Sequence, residues 1–310
     1  MKISEHLYFY RGVEHIFPAF GMYSGNSSII SGDSLTLIDP GTAAGVHLRS
    51  VSEKSVRDGL RFGDIKKILL THAHQDHAPA APFLAEELGA DILCHKLEIP
   101  MLEDPAVFFR DEYDAFTLGN KEMPRLPEWL TNAGVFVLFG ALKPHFGAVA
   151  VSEGTVVDEA AGATVVELPG HRPGEIGVYI ARDRALVTGD IINWRRYSLP
   201  SLNMPVSDLD MTVASLHKML KLDVEVIVNG HENFVRGEAR IKKWISDVLL
   251  WCDRSREIAA REIGRDPRFP LLKLGRMLID NNVEIPFYEI IPIAHTVLKS
   301  IGHAEPCRLI

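Results

Sequence analysis

Three imidazoles and a carboxylate fall within the six residues that follow Thr71: His72-Ala73-His74-Gln75-Asp76-His77. Nitrogen and oxygen donors at this density are the chemistry of a transition-metal site, and imidazole with carboxylate suits zinc, iron or manganese. On an extended segment His72 and His74 point to one face, because side chains repeat with a period of two. A turn at Gln75 then brings Asp76 and His77 to a neighbouring point. One metal can take the first pair and a second metal the other. A surface histidine cluster or a helix-capping segment is the competing reading. It leaves unexplained why the histidines crowd directly behind the apolar run Ile68-Leu69-Leu70.

The run cannot fill two coordination spheres alone, so further ligands are expected downstream. Three candidates stand at the ends of apolar strands: His171 in Leu168-Pro169-Gly170-His171, Asp190 in Leu186-Val187-Thr188-Gly189-Asp190, and His231 in Val228-Asn229-Gly230-His231. Each has a small residue just before it, which lets backbone pack closely around a metal. Singly each reads as a plain turn, and only the upstream cluster turns them into a ligand set. Isolated histidines such as His6, His15, His47, His95, His217, His295 and His303 read as ordinary surface or core residues.

The His-x-His-x-Asp-His run, the Pro-Gly-His-x-Pro-Gly segment at Pro169 to Gly174 and the order of the later ligands together resemble the metallo-β-lactamase-fold hydrolase superfamily, in its glyoxalase II-like and lactonase-like branch. The resemblance covers about Ile29 to His231. It implies an α/β fold, an αββα sandwich with the metals at one sheet edge. It also implies that His72, His74 and His171 bind one metal, Asp76, His77 and His231 the other, and that Asp190 bridges them. Asp39 would orient a ligand histidine, as such carboxylates do. Two features depart from the family pattern. The gap between His77 and His171 is long, and Ile191-Ile192-Asn193-Trp194-Arg195-Arg196-Tyr197 matches no substrate-specific subgroup.

The resemblance implies hydrolysis of an ester, thioester or lactone by a metal-bound hydroxide. Two divalent ions, Zn2+ first and Fe or Mn next, would share the nucleophile and polarise the carbonyl. Asp76 would hold the nucleophile's proton, and Tyr197 or a nearby arginine would assist the oxyanion or anchor a substrate carboxylate. The alternatives on the same fold are a mono-iron sulfur dioxygenase-like enzyme and a phosphodiesterase or nuclease. His74, where the di-iron flavoproteins carry a carboxylate, argues against that branch. A purely structural metal is disfavoured, because structural zinc sites are closed tetrahedra and this set is too rich in histidine and carboxylate.

The elements that must position these residues are legible as apolar runs. Ser28 to Ser31 and Ser34 to Asp39 read as two strands around Gly32-Asp33. A helix is expected from Val46 to Leu60, a buried strand from Ile65 to Thr71, a helix from Pro82 to Leu88 and a strand from Asp91 to Cys94. Strands return at Thr164 to Leu168, Gly177 to Ile180 and Ala185 to Thr188. Leu209, Val213, Leu216 and Leu220 mark a helix capped by Ser207 or Asp208. Val224 to Val228 is another strand, and Ile241, Trp244, Ile245, Val248, Leu249 and Cys252 form one face of a long helix. The strand ends echo one another. The Ile68–His72 run resembles Val226–His231, and the Leu37–Gly41 run resembles Leu186–Asp190. Two similar strand–helix halves with converging strand ends would produce such an echo.

A catalytic domain of residues 1–260 is expected, with an insertion at about 100–147 and a helical extension at 261–310. The insertion is rich in aromatics, among them Phe108, Phe109, Tyr113, Phe116 and Trp129. It would cover the cleft, form a subunit contact or be an ordinary extra piece of core.

Bulk composition agrees with an enzyme of small molecules. The chain has 310 residues, 46% hydrophobic and 24% charged, which supports a sizeable core. A net charge of -8 disfavours nucleic-acid partners. The three cysteines are scattered, without a CxxC pair, which suits a reducing compartment. With neither a signal-like N-terminus nor a membrane-length apolar run, the cytoplasm is the expected location. The expected partner is a small-molecule substrate, with neither nucleic acid nor membrane, and a homo-oligomer is left open.

Overall fold

The computed structural model describes residues 1–12, 24–105, 140–193, 199–204, 206–231, 233–279, 287–303 and 307. The aromatic set Phe108, Phe109, Tyr113, Phe116 and Trp129, and the proposed catalytic Tyr197, lie outside them.

Two six-stranded sheets form the centre. The first runs in chain order, β1 (Leu7–Tyr10), β2 (Ser27–Ser31), β3 (Leu35–Ile38), β4 (Ile65–Leu69), β5 (Asp91–His95) and β6 (Val149–Val151). The second is ordered β14 (Phe234–Arg236), β13 (Val226–Val228), β10 (Ala185–Val187), β9 (Ile176–Ile180), β8 (Ala163–Glu167) and β7 (Val156–Asp158). A two-stranded ribbon joins β11 (Ile192–Asn193) to β12 (Leu199–Pro200).

Central strands are apolar on both faces, and the alternation says why. Ile38, Leu69, Val165, Val187, Val226 and Val228 turn to the space between the sheets, where they meet Phe9, Ile30, Val178 and Ile180. Their neighbours Leu37 and Ile68 turn outward, onto α1 (Val46–Arg57) and α2 (Ala81–Leu88) through Val51, Leu84 and Ala85. On the other side Val166, Leu186 and Ile227 turn outward to a helical layer. A strand buried on both faces reads as a continuous apolar run, which is how the sequence is written here.

That helical layer comprises α4 (Leu209–Met219), α5 (Glu238–Arg265), α6 (Leu271–Leu278) and α7 (Phe287–Ser300). The cap expected on α4 is Asp208, whose carboxylate accepts from the Asp210 and Met211 amides. Ile241, Trp244, Ile245, Val248 and Cys252 on α5 share one core with Leu274 of α6, Ile293 of α7 and the outer face of the second sheet. The helices therefore complete an α-β-β-α stack. A further short helix, α3 (Ile99–Glu103), follows β5.

The echo between strand ends has a structural counterpart. β3 pairs parallel with β4, and β10 pairs parallel with β13. Asp39 and the His72 run thus follow adjacent parallel strands of one sheet, as Asp190 and His231 do in the other. Strands β1, β6, β7 and β14 are three or four residues long and add to those expected. No helix among the described residues is long and apolar enough to cross a membrane.

Leu274 is fully buried between α5, α6, α7 and the sheet side of this core. Leu274→Ala should cost about 2–5 kcal/mol, the range for a buried Leu→Ala cavity. Urea denaturation followed by circular dichroism and by tryptophan fluorescence should give one shared, shifted transition. A separate early transition would show that the C-terminal helices unfold on their own.

Candidate metal centre

Strand β4 ends at Leu69, and the ligand run continues as an irregular loop rather than as extended strand. Its amides must find other partners. The Thr71 amide donates to Asp39 Oδ1 at 2.8 Å and the Thr71 hydroxyl to Asp39 Oδ2 at 2.6 Å. The carbonyl of Thr71 accepts from the Ile176 amide at the start of β9, so this loop joins the two sheets. The Asp76 carbonyl accepts from Gly25, the His77 carbonyl from Gly41, and the Gly230 carbonyl from Asn26. Asp39 itself sits at φ 50, a left-handed conformation that Asp adopts more readily than most residues.

All seven expected ligands are brought together. His72 Nε2 and His171 Nε2 each lie 3.0 Å from His74 Nδ1. His231 Nε2 lies 3.1 Å from Asp76 Oδ2 and 3.1 Å from Asp190 Oδ2. His77 Nε2 is 3.4 Å from His231 Nε2, 3.5 Å from Asp190 Oδ1 and 3.7 Å from Asp76 Oδ2. Three triads with donor atoms inside 4.8 Å result: His72-His74-His171, His72-His77-Asp190 and Asp76-His77-His231. Asp190 stands between the outer two, its Oδ2, the oxygen nearest His231, lying 4.0 Å from His171 Nε2.

The far nitrogens of these rings are held, and that fixes which nitrogen faces inward. His77 Nδ1 donates to Asp39 Oδ2 at 2.9 Å, and His171 Nδ1 donates to the Ser201 carbonyl at 3.0 Å. His72 Nδ1 is 3.0 Å from the Thr71 hydroxyl, which itself donates to Asp39. Asp39 thus orients His77 directly and His72 through Thr71. His74 is the exception: its Nδ1 faces inward and its Nε2 lies 3.3 Å from Arg172 Nη1.

The donor set fits a metal. Asp190 Oδ1 is buried without a hydrogen-bond donor, and three imidazole nitrogens converge where burial disfavours protonation. The glycines before the ligands make room for this crowding. A Cβ on Gly230 would stand 1.9 Å from Asp190 Oδ1 and 2.8 Å from the His77 ring. Gly189, at φ +63, would meet Thr71 and Glu175 at 2.9 Å.

The two halves of the cluster differ in charge. Burial, with His77 next for His72, His72 next for His74 and Asp190 opposing it for His171, lowers the pKa of all three. On the other side burial opposes protonation but is outweighed. Asp76, Asp190 and Asp39 hold His77 well above its ordinary value, and Asp190 and Asp76 push His231 up to about 10. Burial would raise Asp76 and Asp190, yet His77 and His231 hold Asp76 below the carboxylate range and Asp190 well below it.

Three further residues engage the ligand loops and carried no signal in the sequence. Glu98 accepts from the Ala73 amide and from Arg172, and Glu175 accepts from the Asp190 amide at 2.5 Å. Burial, reinforced by Asp190, pushes Glu175 well up.

The comparisons agree with this geometry. The family model described as Metallo-beta-lactamase superfamily matches residues 21–231. The "Probable metallo-hydrolase YqjP" of Bacillus subtilis (strain 168) is 25% identical over 69% of each chain. "Hydroxyacylglutathione hydrolase GloC" of Haemophilus influenzae is 24% identical, over 68% of this chain and 87% of that one. Among solved structures, a metallo-beta-lactamase family protein from Thermus thermophilus superposes with a TM-score of 0.72, covering 96% of this chain and 94% of that chain at 20% identity. A beta-lactamase domain protein from Burkholderia ambifaria gives 0.68 over 97% and 87% at 16% identity. The chain belongs to the metallo-β-lactamase superfamily and is a metal-dependent hydrolase.

The charge asymmetry predicts distinct pH responses. A metal entering beside His77 and His231 must displace their protons, each worth about tenfold in apparent affinity per pH unit. Burial holds the imidazoles of His72, His74 and His171 below their ordinary value, so metal entry there displaces fewer protons. Between pH 6.5 and 9 the equivalent lost in His231→Ala should therefore tighten steeply, and the one lost in His72→Ala should stay nearly flat. Equal slopes in metal titrations would contradict the assignment. In the metal-free protein the raised His231 stabilises the fold fully below pH 6.5, and this stabilisation is lost as pH rises through about 10.

Proposed function

We propose that the protein hydrolyses an ester, thioester or lactone carbonyl with two divalent metals, Zn2+ in the first instance. His72, His74 and His171 would hold one metal and Asp76, His77 and His231 the other, with the Asp190 carboxylate shared between the two sites. The observation that carries this reading is the Asp190 carboxylate, placed within 3.1 to 4.0 Å of His231, His77 and His171 at once. A relative named for hydrolysis of a hydroxyacylglutathione supports an acyl substrate.

When bound, the metals supply Lewis acidity and a water acidic enough to act as nucleophile at neutral pH. The chain's own residues set the direction of approach. Asp76 and His231 keep 22% of their side chains accessible, whereas His72, His74, His77 and His171 are buried. Substrate therefore approaches over the Asp76–His231 side. There Asp76 Oδ2, aimed inward at His231, is placed to accept the nucleophile's proton. Asp39 holds His77 against rotation as charge develops.

Elemental analysis of gently purified protein should find about two equivalents of transition metal per chain. His72→Ala and His231→Ala should each remove mainly one of them, and Asp190→Ala should weaken both. Loss of a partner that merely orients a ligand costs about 10–100-fold in affinity or activity. Asp190→Ala should therefore lower kcat/KM by more than tenfold on whichever ester, thioester or lactone a substrate screen identifies. Metal-free protein with full activity would sink the reading, and so would turnover confined to phosphodiesters.

A further inference from the structure

Glu98 lies at the end of the turn after β5, as the residue preceding α3, and is 1% exposed. One of its oxygens serves two loops that are far apart in sequence. Glu98 Oε2 accepts from the Ala73 amide, the peptide between ligands His72 and His74, at 2.9 Å. The same oxygen accepts from Arg172 Nε, also at 2.9 Å, and Arg172 directly follows ligand His171. The guanidinium extends on from there, with Nη1 3.3 Å from His74 Nε2 and Nη2 3.2 Å from Met101 Sδ. Glu98 and Arg172 are therefore a buried ion pair whose two ends grip the two segments carrying His72, His74 and His171.

A buried pair of this kind is a weak source of stability, because desolvation offsets most of the attraction. Its geometry is specific nonetheless. The fit is close around the carboxylate: a Cβ on Gly174 would stand 2.6 Å from Glu98 Oε1, so the His171 loop itself closes over it. Among the described residues nothing comparable links Glu98 to Asp76, His77 or His231, whose loops are held by Gly25, Gly41 and Asn26.

We propose that Glu98 is a positioning residue for the first metal, fixing the spacing of the His72–His74 loop against the His171 loop through the Ala73 amide and Arg172. The inference rests on the dinuclear reading above. Without the shared acceptor, the Ala73 peptide and the guanidinium are released together. The three imidazoles then lose the separation that a single ion requires, while the second site keeps its own supports.

The test is a Co2+ titration of the full chain, followed by visible absorption, for wild type, Glu98→Ala, Glu98→Gln and Glu98→Asp. His72→Ala and His231→Ala identify which equivalent belongs to which site. Glu98→Ala should weaken the equivalent that depends on His72 by about 10–100-fold, and leave the one that depends on His231 within about threefold. Glu98→Gln keeps an oxygen acceptor at the same reach and should recover most of the loss. Glu98→Asp keeps the charge but withdraws it by one methylene, and should behave like Glu98→Ala; it decides the matter if Glu98→Ala fails to fold. Equal weakening of both equivalents, or none of the His72-dependent one, overturns the proposal. A wild-type chain that binds one equivalent, lost in His72→Ala, overturns only the dinuclear reading, and the same Glu98 comparison still decides the proposal. If no equivalent depends on His72, both fall.

Discussion

A loop that leaves a strand gives up the ladder that satisfied its amides, and a buried amide without an acceptor is costly. The ligand loops here are buried, irregular and crowded by glycine, so they face this constraint at every turn. Three acids resolve it. Asp39 takes the Thr71 amide, Glu98 the Ala73 amide and Glu175 the Asp190 amide. Each is almost inaccessible to solvent, and a carboxyl group in such a place is tolerated only when its partners are in position. The dependence is mutual: the acids need these donors as much as the loops need the acids. The coordinates of the ligands follow from that exchange.

The sheets supply what the acids then adjust. Parallel pairing of β3 with β4 and of β10 with β13 sends adjacent strand ends to the same edge in each sheet. The sheets are joined at that edge through the Ile176 amide and the Thr71 carbonyl. Asn26 then links β2 to the Asn229–Gly230 turn, by its backbone amide and by its side-chain amide. Imidazoles lowered by burial collect on one side and carboxylates with raised histidines on the other. One metal would thus enter a site of nitrogen lone pairs, and the second a site from which protons must leave.

The residues that gather at the candidate site, and the strands that precede them, were legible because their signals are local. A dense histidine run behind an apolar strand, and a glycine immediately before Asp190 and His231, need no knowledge of the fold. The central strands announced themselves by being apolar on both faces. The edge strands β1, β6, β7 and β14 did not; they are no shorter than β10 or β13, but β6, β7 and β14 are exposed at one or two of their three positions and so lack a fully buried run. The buried acids were illegible for a different reason. Glu98 is 25 residues from the amide it holds and Glu175 is 15 from its own, so each reads in sequence as an ordinary surface charge. Arg172 stood in plain view inside Pro169 to Gly174, but its partners Glu98 and His74 come from other segments.

The helical layer reaches the site through His171. The Gly170 and His171 carbonyls accept from the Asp208 amide and the Ser207 hydroxyl, just before α4, and the Pro169 carbonyl accepts from the Ser215 hydroxyl in the middle of that helix. Asp208 and Asp210 in turn meet Lys299 of α7 and Arg256 of α5. His72 and His74, by contrast, hang from the first sheet. The first site is therefore assembled from opposite sides of the sandwich, and a displacement between layers moves His171 relative to the other two imidazoles. An ion held by all three would oppose that displacement, because binding free energy available only to the folded chain adds to its stability. Packing of the C-terminal helices would be coupled to metal binding at the first site for that reason, although α6 and α7 carry none of the seven residues.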